Sequence, residues 1–230
     1  MAKDDTETYT LSRKNLRQEW PVLLVLVGML VAAFFLYPQL PERVPVHWNY
    51  KGEVDGYGSR LDAAFEIPLL TLGLYLLLLV IPLVDPKRQN YVRFYVAYRV
   101  IRWIFVFLMA VVYGIIMFSA LGYTVDVGLW VKLVVGLIFV VIGNVMGQIR
   151  PNYFVGVRTP WTLASEEVWR RTHRLTARVW VFGGLICFLL SFVPGRAAAI
   201  AFVVVGIVFM GLIPIVASYV YYSFREKDGG

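Results

Sequence analysis

Six long stretches almost free of charge divide the chain. They run Trp20–Tyr37, about Ile67–Val84, Trp103–Tyr123, Leu129–Gln148, about Leu175–Val193 and Ala197–Val220, with Lys132 near the start of the fourth and Arg178 one turn into the fifth. Crossing a bilayer takes about 20 apolar residues in a helix. Only a structure that satisfies its own backbone can do so. Continuous Leu, Val and Phe runs lack the alternation of a barrel strand. The pattern predicts an all-α integral membrane protein with six transmembrane helices.

Two connections break this pattern. In the first, Val44, Val46, Trp48 and Tyr50 alternate with Pro45, His47 and Asn49. Period two predicts a strand with one apolar face, and Gly52, Gly56 and Gly58 are expected to supply turns. Residues 38–63 are thus expected to form a small ordered cap. In the second, 148–174, Thr159-Pro160 or Thr162 can open a helix. Glu166 and Glu167 suit its first turns, and Glu166→Arg170 and Glu167→Arg171 are helix-supporting pairs. The reading is a short amphipathic helix, Thr162–Arg174, leading into the fifth span, with Trp161, Val168 and Trp169 anchored in the membrane interface. The third and fifth connections are very short, so the helices they join are expected to be antiparallel neighbours, and Pro194-Gly195 reads as a tight turn.

Composition agrees with the pattern: 59% of the 230 residues are apolar, 16% are charged, and mean hydropathy is +0.68. A soluble domain is nearer half apolar and a quarter charged, so a soluble enzyme, a disordered chain and a disulfide scaffold are excluded. Cys187 stands alone, so no intrachain disulfide forms. The first stretch exits through Phe34-Phe35-Leu36-Tyr37-Pro38 without a small-x-small cleavage pattern, and is kept as a span.

Net charge is +7, and its distribution sets an expected orientation. The N-terminal tail, the second and fourth connections and the C-terminal tail carry 17 Lys and Arg, against four in the first, third and fifth connections. By the positive-inside rule both termini are expected in the cytoplasm and the first connection outside. The domain plan is a polar cytoplasmic tail 1–19, a membrane domain 20–222 with an external cap 38–63 and a cytoplasmic loop 148–174, and a tail 223–230. The basic, aromatic segment Lys87–Arg102 is expected to overhang the third span at headgroup level rather than bind nucleic acid.

Gly143 and Gly147, with Gly136 one heptad earlier, let helices approach closely. They serve either a homodimer face or packing within the bundle, the latter favoured, with Asn144 bonded to a neighbouring helix. His47, Glu42, Glu53, Asp55 and Asp62 have no recognised metal-ligand spacing. Neither metal nor cofactor is expected, and His47 should bond within its own loop. His47 and His173 lie in connections of opposite parity. There is no His-Glu-x-x-His and no Gly-x-Ser-x-Gly, so no catalysis is expected. The span interiors hold no ionisable group, with Glu66, Asp85, Lys132 and Arg178 near ends, which counts against a transporter.

The series Leu40-Pro41-x-x-Val44-Pro45-x-His47-Trp48-Asn49-x-x-Gly52-x-x-Asp55-Gly56 resembles the extracellular motif of the SdpI-type membrane proteins. Arg150-Pro151-Asn152-Tyr153-Phe154-Val155-Gly156-Val157-Arg158-Thr159-Pro160-Trp161-Thr162, followed by Trp169 and Thr172-His173-Arg174, resembles that family's second motif. The resemblance covers about residues 20–222. It implies an immunity or receptor protein: the family's namesake protects against a peptide toxin that collapses the proton motive force. With toxin bound, the namesake also holds a small winged-helix repressor at the membrane. His47, Trp48, Asn49, Gly52 and Asp55 are then expected to form the outer recognition surface. Asn152, Gly156, Arg158, Thr159, Pro160, Thr162, Trp169 and His173 are expected to form the cytoplasmic docking surface. Arg158 should hold that loop against carbonyls, or against Glu166 or Glu167. A small-molecule or ion transporter is the second expectation, and an intramembrane hydrolase the third.

Overall fold

The computed structural model describes residues 8–49 and 52–228. In chain order the elements are α1 (Arg13–Arg17), α2 (Trp20–Leu36), a 3-10 turn (Tyr37–Gln39), β1 (Arg43–Trp48), β2 (Val54–Ser59) and α3 (Arg60–Val84). A 3-10 segment (Arg88–Phe94), α4 (Tyr95–Ala120), α5 (Val127–Met146), α6 (Pro160–Ala164) and α7 (Glu166–Leu190) follow. The chain ends in α8 (Arg196–Val205), a π-helical segment (Gly206–Leu212) and α9 (Ile213–Asp228). Among the described residues, six helical segments are long and apolar enough to cross a membrane: 20–39, 60–84, 88–120, 127–146, 166–190 and 196–225. The chain is a multi-pass membrane protein.

Three spans begin earlier than hydropathy suggested, two of them where polar residues cap the helix. Ser59 and Asp62 close the start of α3 reciprocally: the Ser59 hydroxyl donates to Asp62 at 2.6 Å and accepts from the Asp62 amide at 3.2 Å. That satisfies orphan donors of the first turn, so α3 starts seven residues before Ile67. Ser165 caps α7, accepting from the Val168 amide at 3.4 Å. The segment expected as a separate amphipathic helix is therefore the first turns of the fifth span, preceded by the one-turn α6. Lys87–Arg102 is continuous with the third span, but its aromatics are not at a headgroup surface: Tyr91, Phe94 and Tyr98 are buried. Val168 and Trp169, expected as interface anchors, are likewise buried, at 1% exposure each.

The chain forms two compact units. The first comprises residues 11–80 and 102–131. Here β1 and β2 pair antiparallel, with Val44 opposite Gly58 and His47 opposite Gly56. Val44 is fully buried with Leu40, Ala33, Ala63, Ala64 and Met117, and Val46 and Trp48 pack against them. This is the apolar face that the period-two pattern predicted. Gly52 makes the turn, at φ +81. Gly56 and Gly58, expected in turns, lie within β2, where a Cβ on Gly56 would stand 2.8 Å from the His47 Cβ. A second core joins Val22, Leu26, Tyr75, Leu79 and Val106.

The second unit comprises residues 1–10, 81–101 and 132–230. Tyr9, Tyr91, Phe94, Tyr98, Met146, Ile149 and Trp169 form its core. Gly136, Gly143 and Gly184 bring α5 and α7 together: a Cβ on Gly136 or Gly143 would meet α7 backbone at 2.8 Å. Gly147 faces Ala177 and Arg174 of the same helix. The homodimer face considered for Gly143 and Gly147 is thus occupied by α7, as the packing alternative held. Asn144 is exposed and, among the described residues, makes no bond to a neighbouring helix. Pro214 has no N–H to give the carbonyl four residues earlier. That carbonyl, on Met210, accepts the Trp180 indole N–H at 3.1 Å.

Candidate functional site

Two clusters gather the polar chemistry that the sequence singled out, one in each unit. The first is the β1–β2 hairpin. His47 Nδ1 donates to Asp55 Oδ1 at 2.5 Å, and their side chains are 72% and 43% exposed. Asn49 closes the tip: its Nδ2 donates to Glu53 Oε2 at 2.9 Å, and its Oδ1 accepts from the Glu53 amide at 3.1 Å. The carboxylates that might have shared a cation with His47 are engaged separately, Glu53 with Asn49, Asp55 with His47 and Asp62 with Ser59. The Arg43 guanidinium stands 5.2 Å over the Tyr57 ring, and Tyr57 is 55% exposed. Of the five residues expected at the outer surface, His47 and Asp55 stand outward together. Asn49 and Gly52 build the turn, and Trp48 leans inward. Glu53, Arg43 and Tyr57 were missed. The i,i+4 spacing of Asn49 and Glu53 was a usable signal, whereas Tyr57 and Arg43 meet only through the hairpin register.

The second cluster is the 148–174 loop. Asn152 is 1% exposed and folds the chain around itself: Nδ2 donates to the Arg150 and Val155 carbonyls at 2.9 and 3.0 Å, and Oδ1 accepts from the Phe154 and Val155 amides at 2.9 and 2.7 Å. Asp85, also buried, accepts from the Tyr91 hydroxyl at 2.9 Å, the Tyr153 amide at 3.0 Å and the Lys87 amide at 2.7 Å. Asn90 Nδ2 donates to the Pro151 carbonyl at 2.7 Å. Gly156, at φ +111, lies over His173, where a Cβ would come within 2.3 Å of Nε2. That nitrogen accepts from the Val157 amide at 3.1 Å, while Nδ1 donates to the Trp169 carbonyl at 2.8 Å. Both ring nitrogens are engaged, and the ring stacks on Trp169 with centroids 4.2 Å apart. Trp169 Nε1 donates to the Ile149 carbonyl at 2.9 Å.

The loop then passes into α6. Thr159 caps it in a reciprocal box with Thr162, with Pro160 in the first turn, where its missing N–H costs nothing. The Thr159 hydroxyl also donates to Ser218 of α9 at 3.0 Å, and the Thr162 hydroxyl to the Val157 carbonyl at 2.8 Å. Arg158 Nη1 donates to the Tyr153 carbonyl. Of its two expected kinds of partner, the carbonyl is the one present. Glu167 instead pairs with Arg171 at 2.7 Å. All eight residues expected at the docking surface come together, but Asn152, Thr159, Thr162, Trp169 and His173 are buried and bonded within the loop. Its open face is made by Tyr153, Phe154, Arg158 and Leu163.

A third polar cluster was not anticipated. Glu19, 1% exposed, accepts from the Arg102 guanidinium, from Trp103 Nε1 at 2.8 Å and from the Tyr75 hydroxyl at 3.1 Å. Arg102, counted among the loop arginines by sequence, is fully buried. The signal was an Arg-Trp pair inside an otherwise amphipathic stretch, with an acid at the mouth of the first span.

Both motif regions coincide with stretches matched in known proteins. Residues 148–221 match the model of the SdpI/YfhL protein family. Over 202 residues the chain is 27% identical to "Immunity protein SdpI" of Bacillus subtilis (strain 168), which covers 88% of this chain and 94% of that one. The chain is thus similar to the SdpI/YfhL family over its C-terminal third and to one immunity protein over most of its length. The family match holds the whole motif loop from Gln148 onward. Residues 24–72, which contain the hairpin, match a domain of unknown function (DUF1648). No solved structure matches.

Proposed function

We propose that this chain is an SdpI/YfhL-type protein and a non-catalytic immunity-type receptor of the bacterial plasma membrane. Its hairpin faces the outside and meets a peptide toxin, and its 148–174 loop faces the cytosol and meets a winged-helix repressor. The observation that carries this reading is the similarity to Immunity protein SdpI, which spans both polar clusters. The exposed His47–Asp55 pair beside Tyr57 supports an outer recognition surface, since these groups stand in solvent on a rigid hairpin. The 17-to-4 basic distribution supports the orientation.

Survival tests the function. Toxin-sensitive cells expressing this chain should outgrow vector controls when the sporulation-delaying peptide is added, and equal killing would overturn the immunity reading. Labelling tests the orientation. Cysteines at Tyr57 and Arg171, both exposed, should label oppositely with an impermeant thiol reagent in intact cells. Cys187 is buried and should stay silent. External labelling of both would sink the orientation.

One observation bears on the transporter alternative. Ionisable groups inside spans often mark translocation paths, and Arg102, which bonds Glu19 at the mouth of the first span, is such a group. Yet Glu19 already holds three side-chain donors. A fully engaged carboxylate fastens helices rather than exchanging a transported ion.

A further inference from the structure

The second unit contains a polar cavity of about 410 Å³ lined by Asn90, Arg93, Arg150, Glu166, Glu167 and Arg170, with Trp169 as one wall. Three arginines and two carboxylates share one lining, so the space carries a net positive charge that favours an anion. Glu167 is held by Arg171, outside the lining, and the side chains of Arg150 and Arg170 make no hydrogen bond or ion pair among the described residues. Asn90 is fixed through Nδ2 to the Pro151 carbonyl, which leaves its Oδ1 and the cavity edge rigid.

We infer that this cavity is a binding site for the phosphate group of a glycerophospholipid. Guanidinium forks match phosphate oxygens two at a time. The cavity's position supplies the rest of the argument. Arg93 lies one turn before α4, Arg150 four residues after α5, and Arg170 in the second turn of α7, so the arginines stand where three spans enter the bilayer. Basic pockets at that level take lipid headgroups. Glu166 carries no partner among the described residues and shares the lining. A headgroup that pairs its phosphate with an ammonium, as phosphoethanolamine does, would answer both signs. The site is independent of the immunity reading and of the orientation, because either leaflet supplies phospholipid.

The full-length protein in phosphatidylcholine nanodiscs provides the test, with bound lipid counted by native mass spectrometry after titration with phosphatidylethanolamine, phosphatidylglycerol or diacylglycerol. Wild type should retain one phosphatidylethanolamine in preference to diacylglycerol. The double variant Arg150→Gln/Arg170→Gln should lose that preference by at least about tenfold, the loss of one charge-assisted contact or more. Arg174→Gln, on the same helix one turn on, exposed and outside the lining, should keep it. Glu166→Gln should shift preference toward phosphatidylglycerol. If millimolar inorganic phosphate displaces the lipid from wild type, the phosphate site stands and its source is soluble. Unchanged lipid retention in the double variant, or equal loss in Arg174→Gln, overturns the proposal.

Discussion

The chain has two histidines, and they sit in opposite circumstances. His47 projects from a hairpin with most of its side chain in solvent and one partner, Asp55. His173 is fully buried, stacked on Trp169, with both nitrogens bonded to backbone. Each belongs to a motif that the sequence marked for recognition. The hairpin is a framework that leaves its polar groups outside: Val44 and Trp48 anchor it, Gly52 turns it, and His47 and Asp55 remain available. The 148–174 loop uses its polar groups to hold itself, because a long segment threaded among helix ends must satisfy its buried amides and carbonyls. The polar groups of one motif thus stand in solvent, and those of the other fasten a backbone.

Substitutions sharpen that contrast, and the largest effect is expected at the buried pair of the hairpin's own unit. Arg102→Met leaves Glu19 charged and buried, and should destabilise by roughly 3–5 kcal/mol, read as a lower thermal midpoint in detergent. Adding Glu19→Leu should restore much of the loss, as apolar replacements of whole buried pairs often do. A proton-translocating role would instead leave the double variant stable but silent in a liposome flux assay that wild type passes.

Next comes Gly156→Ala. It combines a positive φ with a Cβ at 2.3 Å from a ring that cannot retreat, and should cost roughly 2–4 kcal/mol. His173→Ala should cost a similar amount by the same melt, because an amide and a carbonyl lose their partner and the buried ring leaves a cavity beside Trp169. If either variant melts like wild type while losing a cytosolic partner, these buried groups serve docking rather than the fold. Arg158→Lys should be smaller still, below about 1 kcal/mol, since Arg158 is exposed and a Lys can still reach one carbonyl. Its effect belongs in repressor recruitment, measured by membrane fractionation.

The six spans were readable because a bilayer demands long apolar helices, and hydropathy reports that demand directly. The hairpin was readable from the alternation of Val44, Val46 and Trp48; Tyr50, the fourth member of that pattern, lies outside the described residues. What hydropathy does not see is a cap: Ser59, Asp62 and Ser165 start α3 and α7 where the composition is still polar. Long-range polar pairs escaped as well. Asp85 meets Tyr153, and Glu19 meets Arg102, across 68 and 83 residues of chain. Nothing local distinguishes a loop arginine from one that folds into a core. The eight residues of the second motif were correctly gathered by the sequence, but their burial depends on which way the loop folds, and periodicity carries no information about an irregular segment.

The central claim is that the hairpin's polar groups serve a ligand while the loop's serve the fold, and His47→Ala tests it most directly. Its side chain is exposed, so the variant should melt within about 0.5 kcal/mol of wild type and accumulate in the membrane to the same level. Survival of toxin-sensitive cells expressing it should nonetheless fall toward the vector control. Full protection by a stable His47→Ala protein, matched to wild type in abundance, would contradict the account.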